Sequence, residues 1–276
     1  MALLINLAIF IFGASIGSFL NVLIDRLSKD ESINGRSHCD HCKKKIAWYD
    51  LIPVLSFFIL GGRTRCCRKK LSFQYPLIEI ITGLIFVLIT NNQIPITKQL
   101  SITNLQYSNF WLFSNWSLFV SWLLFLGISS CLIVIFVSDL KYHLISDYIL
   151  LALFIFSVLL KFVIPAKAGI QNDIVSALIV SLPIFLIYFI SKERAMGLGD
   201  VYLSVIMGFL LGWQAGFLAL YIAFVTGAIF GLVAIIFKNK KLKSKIAFGP
   251  FLVIGITSVF FYQKELFEIV RKILGY

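Results

Sequence analysis

Ala195-Met196-Gly197-Leu198-Gly199-Asp200 is a short break holding two glycines and a carboxylate, set between two long apolar runs. A carboxylate at a bilayer boundary is costly enough to demand a reason. Two readings follow. In the first, Asp200 caps a helix that begins at Val201, and the glycines only make the turn before it. In the second, Asp200 is half of a catalytic pair whose partner lies elsewhere in the membrane.

The apolar runs on either side decide the class of protein. Of 276 residues, 59% are hydrophobic and 14% charged, with 27 phenylalanines; the mean hydropathy is +0.93. A soluble core of this length cannot hide so much apolar surface, so the chain is expected to be an all-α polytopic membrane protein. At about 20 residues per span, there is room for about eight transmembrane helices and one modest loop domain. The net charge of +12 does not indicate a nucleic-acid partner. The basic residues gather in loops beside apolar segments, which is the pattern of membrane topology, and the lipid bilayer is the expected environment.

Outward from the break, the expected spans are 2–24, 75–90, 111–137, 148–163, 174–190, 201–212, 214–237 and 246–261. Met1 to Leu23 lacks a basic leader and reads as a span entering from outside, not as a cleaved signal. Gly13, Ser15, Gly17 and Ser18 give it a small-residue face that a neighbouring helix can approach closely. The stretch from Asp25 to Phe73 holds eleven of the 25 Lys and Arg, which places it in the cytoplasm. Five lysines between Lys238 and Lys245 mark the same side again. The expected domains are therefore a first helix (1–24), a cysteine-containing cytoplasmic loop domain (25–74), a transmembrane bundle (75–262) and a C-terminal tail (263–276).

The topology makes a deduction about the break possible. With an outside N-terminus and alternating spans, the end of the third span and the start of the sixth lie on one side. Asp139 and Asp200 are then both at the cytoplasmic boundary. Two carboxylates about 3 Å apart cannot both ionise cheaply and share a proton, so one activates a water while the other protonates a carbonyl. That is peptide hydrolysis needing no cofactor. Gly197 and Gly199 would let an extended substrate backbone come close to Asp200. Asp139 ends a helix, where its charge opposes the dipole, and a capping role does not explain it. Glu79 and Asp147 are the other acids at cytoplasmic span ends and stand as accessory candidates. Asp147 is satisfied by a helix start, and Glu79 also answers a dipole.

His38-Cys39-Asp40-His41-Cys42 and Arg65-Cys66-Cys67-Arg68 lie in the loop domain. Thiols in a reducing compartment at such spacing suggest structural zinc over a disulfide. The candidate ligands are Cys39, Cys42, Cys67 and Cys66, with His38 or His41 as substitutes, since the adjacent pair Cys66-Cys67 seldom points at one tetrahedral ion. Cys131, inside an apolar run, reads as a packed hydrophobe.

The sequence resembles the bacterial type IV prepilin peptidase family. The likeness is carried by Ile16-Gly17-Ser18-Phe19-Leu20-Asn21-Val22, Arg36-Ser37-x-Cys39-x-x-Cys42, Trp48-Tyr49-Asp50-Leu51-Ile52-Pro53 and Tyr75-Pro76-Leu77-Ile78-Glu79. It continues through Asp139 with Asp147 eight residues on, Gly197-Leu198-Gly199-Asp200, and Phe248-Gly249-Pro250-Phe251. It implies a G-x-G-D intramembrane-type aspartic peptidase of the bacterial inner membrane, multi-pass, with its active site facing the cytoplasm. Asp139 and Asp200 match the family's catalytic pair. The implied substrates are type IV prepilin or pseudopilin precursors. A second activity, S-adenosylmethionine-dependent methylation of the new N-terminus, is implied by resemblance alone. Here Thr64 stands where the family's third loop cysteine is usual. Two other classes fit isolated features: an ion-coupled transporter using the boundary acids, and a non-enzymatic scaffold of a secretion or pilus apparatus docking through the basic loop.

Overall fold

A computed structural model describes residues 2–39, 41–92, 116–164, 169–194, 196–238 and 247–274. The expected external loop 91–109 falls mostly outside them, as do the start of the third span at Trp111 and most of the lysine-rich loop 238–245. The helices are α1 (Ala2–Leu27), α2 (Leu55–Ile59), α3 (Gln74–Asn92), α4 (Trp116–Tyr142), α5 (Asp147–Val163), α6 (Gly169–Ser191), α7 (Leu198–Leu211), α8 (Trp213–Lys238) and α9 (Gly249–Leu274), with a 3₁₀ turn at Trp48–Leu51. Among the described residues no strand is longer than an isolated bridge. The chain is all-α, and eight apolar helices, α1 and α3 to α9, occupy the expected span positions. Five of them (α1, α3, α4, α6 and α8) are long and apolar enough to cross a bilayer. The last helix runs past the expected span end at Phe261 to Leu274, broken at Tyr262, where φ −121° and ψ 30° leave the helical region.

The chain forms two compact units. The first contains α1, the loop domain, α3 and α4 up to Val134. Within it α1 lies along α3, and the face carrying Gly13 and Gly17 makes the contact. A Cβ on Gly17 would stand 2.8 Å from the Cα of Glu79, and one on Gly13 would stand 2.8 Å from the Cα of Gly83. The backbones therefore touch, and lipid offers no hydrophobic force to replace that packing. Trp122 of α4 donates from Nε1 to Thr90 Oγ1 of α3 at 3.0 Å, which satisfies an indole N–H inside the apolar core. At the loop end of α1, buried Arg26 gathers the carbonyls of Ser32 (3.1 Å), Ile33 (2.8 Å) and Arg36 (3.2 Å), fixing the path by which the chain leaves the helix.

The second unit contains the end of α4 from Ile135 and helices α5 to α9. Its centre is α7, which packs on α5, α6, α8 and α9. Nine of its 14 residues are buried, Asp200 among them. At about 1.5 Å per residue, α7 is only about 21 Å long. Helices on every side make a full bilayer crossing unnecessary for it. Around it, α5 presents Ile149, Leu150, Leu153, Ser157 and Leu160 inward, the spacing of one helix face.

Gly17→Leu is expected to destabilise the protein by about 1–3 kcal/mol, the usual cost of overpacking. Ser15→Leu, at an exposed position on the same helix, should be near neutral. Denaturant titration in detergent micelles, comparing both variants with wild type, checks the difference.

Candidate active site and cysteine cluster

Asp200 sits in the first turn of α7, not ahead of it. The helix begins at Leu198, three residues before the expected Val201, and Gly197 is the residue that precedes it. The Gly197 N–H donates to Asp200 Oδ2 at 3.2 Å, and the Asp200 N–H donates to the Gly197 carbonyl at 3.2 Å. This closed loop uses one carboxylate oxygen and satisfies one of the free donors at the helix start. The other oxygen, Oδ1, is buried and has no hydrogen-bond partner among the described residues.

Asp139 lies in the last turn of α4, which continues to Tyr142 instead of stopping near Val137. It is 6% exposed. Its charge opposes the α4 dipole, and the compensation comes from α9. The Gly249 N–H, at the first residue of α9, donates to the Asp139 carboxylate. A Cβ on Gly249 would stand 2.5 Å from Asp139 Oδ2, so only glycine brings its N–H this close. His143, one turn on from Asp139, adds a further electrostatic influence on the same carboxylate.

Ile145, in the turn between α4 and α5, connects the two acids. A Cβ on Gly199 would meet Ile145 Cβ at 3.0 Å, and a Cβ on Gly249 would meet Ile145 Cδ1 at 3.1 Å. One side chain thus packs under both glycines, and Asp139 lies near enough to Asp200 to act on it electrostatically. The two glycines of the break differ in kind. Gly199 is required by close packing on Ile145, whereas a Cβ on Gly197 would meet nothing within 4 Å, and Gly197 is exposed. Ile145 and Gly249 were not singled out as site residues from the sequence. The Gly249-Pro250 dipeptide carried the one usable signal, because proline in a first turn marks a helix start.

The accessory candidates stand apart in character. Asp147 is exposed in the first turn of α5, where a negative charge answers the dipole. Glu79 belongs to the first unit. It is buried, and its Oε2 accepts the Val54 N–H at 2.7 Å, with Ser18 a second hydrogen-bond partner.

In the loop domain, the sulfurs of Cys39, Cys42, Cys66 and Cys67 all lie within 4.8 Å of one another. No histidine belongs to this group, so neither His38 nor His41 substitutes for a cysteine. Two similar turns build the cluster. His38 bridges Lys45, and Arg63 bridges Lys70. The Cys39 N–H donates to the Lys44 carbonyl at 2.9 Å and the Lys43 N–H to the Cys39 carbonyl at 2.8 Å; Thr64, Lys69 and Arg68 repeat both bonds at 2.9 and 2.8 Å. Lys43 and Arg68 share a positive φ, 56° and 53°. Thr64 therefore occupies the place of Cys39, and Cys67 that of Cys42. Cys66, one residue out of step, reaches to 3.1 Å from Cys42.

Charge in the cluster is uneven. The Thr64 hydroxyl, 3.1 Å from Cys67 Sγ, holds the Cys67 thiol below its usual range. The bond to Cys66 lowers Cys42 and pushes Cys66 up to about 12. Burial works against the Cys39 thiolate, but the backbone at Cys42 and His41 draws its pKa below the usual value. Four sulfurs this close cannot all be anionic without a cation. A tetrahedral zinc with Zn–S of about 2.3 Å needs sulfurs about 3.8 Å apart. The Cys39–Cys67 and Cys66–Cys67 separations, 3.7 and 4.0 Å, are close to that value, while Cys42 and Cys66, at 3.1 Å, would have to move apart to share the ion.

Comparison with known proteins finds two family matches along the chain. Residues 11–92 match the bacterial peptidase A24 N-terminal domain, and residues 126–232 match the type IV leader peptidase family. A prepilin leader peptidase/N-methyltransferase of Pectobacterium carotovorum subsp. carotovorum is 30% identical over 274 residues, covering 90% of each chain. One from Klebsiella pneumoniae is 32% identical over 218 residues, 75% of this chain and 85% of that one. One from Legionella pneumophila is 28% identical over 317 residues, covering 100% and 98%. No solved structure matches the chain. With a 30% identical relative aligned along nine-tenths of both chains and family matches in both units, the chain belongs to the type IV leader peptidase family.

Proposed function

We propose that this protein, a multi-pass inner-membrane enzyme, cleaves the leader peptide from type IV prepilin-like precursors with Asp139 and Asp200 as the catalytic pair, on the cytoplasmic side. The observation that carries the assignment is the convergence of two buried carboxylates, each held by a glycine N–H at the start of a different helix, around one side chain, Ile145. The pair holds one proton. One carboxylate of the pair takes a proton from water as the water oxygen attacks the scissile carbonyl carbon, and the other gives its proton to the carbonyl oxygen. Return of a proton to the amide nitrogen then breaks the C–N bond, and the leader leaves with the new carboxylate. Gly197 provides the open approach for an extended substrate strand, and Gly199 and Gly249 fix the spacing of the acids. Glu79 and Asp147 take no part in the proton transfers.

The names of the relatives support a second activity, methylation of the newly exposed N-terminus with S-adenosylmethionine as methyl donor. The substrates are prepilin or pseudopilin precursors. In the loop domain, Cys39, Cys42, Cys66 and Cys67 are proposed to hold a structural zinc, which would supply the positive charge that four adjoining sulfurs require. The domains proposed are a first transmembrane helix (1–24), a cytoplasmic cysteine-containing loop domain (25–74), the transmembrane peptidase bundle (75–262) and a C-terminal tail (263–276).

Asp139→Asn and Asp200→Asn should each slow prepilin cleavage by at least about 100-fold while the protein still inserts at normal level. Co-expression with a prepilin, read by product size, checks this, and full cleavage by both variants would reject the pair. Gly249→Ala places a methyl against the Asp139 carboxylate and should lower kcat with little change in membrane level. Gly197→Ala, with open space around its Cβ, should act through KM. Metal analysis of purified protein should show about one zinc per chain. Cys66→Ser should lose it, and Thr64→Cys in the Cys66→Ser background should restore it by completing the second turn in register with the first.

A further inference from the structure

The segment from Trp48 to Ile59 is apolar, yet neither its 3₁₀ turn nor α2 contains a buried residue. Trp48 is 73% exposed, Phe58 61% and Ile59 78%, and Leu51, Ile52 and Leu55 are exposed beside them. So much surface on two short turns is more than a soluble loop leaves in water. The segment is also held firmly. At one end Arg65 grips Asp50 with Nε and Nη2, at 3.1 and 2.9 Å from Oδ1, and lies 5.2 Å from the centre of the Tyr49 ring. At the other, the Val54 N–H donates to Glu79 Oε2 at 2.7 Å. Val54 adopts φ +61° and ψ −53°, a strained conformation for a β-branched residue that persists only where its surroundings impose it.

The bond to Glu79 sets the depth of the segment. Helix α3 has 19 residues, about 28 Å at 1.5 Å per residue, against a hydrocarbon core of about 30 Å. All of α3 is needed for the crossing. Glu79 is five residues inside it, about 7.5 Å along the axis, and Val54 is drawn to that level. An exposed apolar helix at this depth meets lipid, not water. Basic residues border it on both sides in sequence, Lys43 to Lys45 before and Arg63 to Lys70 after, the composition of an element lying in the headgroup region of an anionic leaflet.

We infer that residues 48–59 form an interfacial element, with Trp48, Leu55, Phe58 and Ile59 inserted into the bilayer surface, that anchors the loop domain to anionic lipid through the Glu79–Val54 bond. The occupant of this apolar face is the membrane itself. Depth and flanking positive charge favour lipid over a protein partner, because a docking groove for a soluble peptide would not be tied below the headgroups.

The full-length protein in lipid nanodiscs tests this through Trp48, one of five tryptophans. The difference between the emission of wild type and of Trp48→Phe isolates its signal. In discs containing phosphatidylglycerol, the Trp48 signal should be blue-shifted, quenched by brominated acyl chains and protected from iodide. Zwitterionic discs should weaken that protection. Glu79→Ala removes the acceptor of the Val54 N–H, and the iodide protection should be lost. A Trp48 signal that is quenched by iodide and untouched by brominated lipid overturns the inference. So does protection that develops only when a synthetic prepilin leader peptide is added, which would make the face a substrate dock.

Discussion

The second compact unit depends on backbone N–H groups at helix starts that meet carboxylates. A carboxylate in an apolar bundle is tolerated only when donors surround it, and the first turns of helices supply donors that have no partner inside their own helix. Asp200 is held by the N–H just ahead of α7, and Asp139 by the N–H that opens α9. Each acid is therefore fixed by backbone, whose position the whole bundle determines, and no arginine or lysine is needed to neutralise it. A salt bridge would have stabilised the ionised form permanently. Hydrogen bonds to one oxygen leave the second free to exchange a proton, as the unpartnered Oδ1 of Asp200 illustrates.

That constraint explains which parts of the protein were legible in the sequence. The helices were, because lipid requires long apolar runs closed by loops, and composition marks both. Alternating spans led to the expectation that Asp139 and Asp200 share one side of the membrane, and the fold brings them near enough to interact electrostatically. The local geometry was not legible. Leu198-Gly199 reads as loop by propensity, and helix α7 begins there because the Gly197–Asp200 bonds close the first turn. Gly249 is more than a hundred residues from Asp139 in sequence, and only the packing of α9 shows that a methyl group there would strike the carboxylate. The stretch Phe248-Gly249-Pro250-Phe251 belonged to the family likeness without a stated role. Its glycine is the donor that Asp139 requires.

The cysteine cluster shows a different limit. Spacing alone made Cys66 and Cys67 look irregular, since a second Cys-x-x-Cys was expected and Thr64 interrupts it. The backbone repeats faithfully even so, with the same pair of hydrogen bonds and the same positive φ in both turns. Thr64 keeps the place of Cys39 and turns its hydroxyl on Cys67, while Cys66 approaches Cys42 from the next position. Four sulfurs can thus gather on two repeated turns that differ in cysteine register, because they need only share a sphere of a few ångströms.

Glu79 applies the same device in the first unit. Its carboxylate takes the N–H of a strained residue, Val54, from a segment far outside its own helix. There the consequence is position in the membrane instead of proton transfer, because the donor belongs to a loop and the carboxylate to a helix whose full length is committed to crossing. Asp139, by contrast, takes its donor from the start of another spanning helix, so its bond adjusts one side chain against a rigid frame. The difference between Glu79 and Asp139 lies in what carries the donor. A loop is drawn to the acid, whereas a packed helix holds the acid in place.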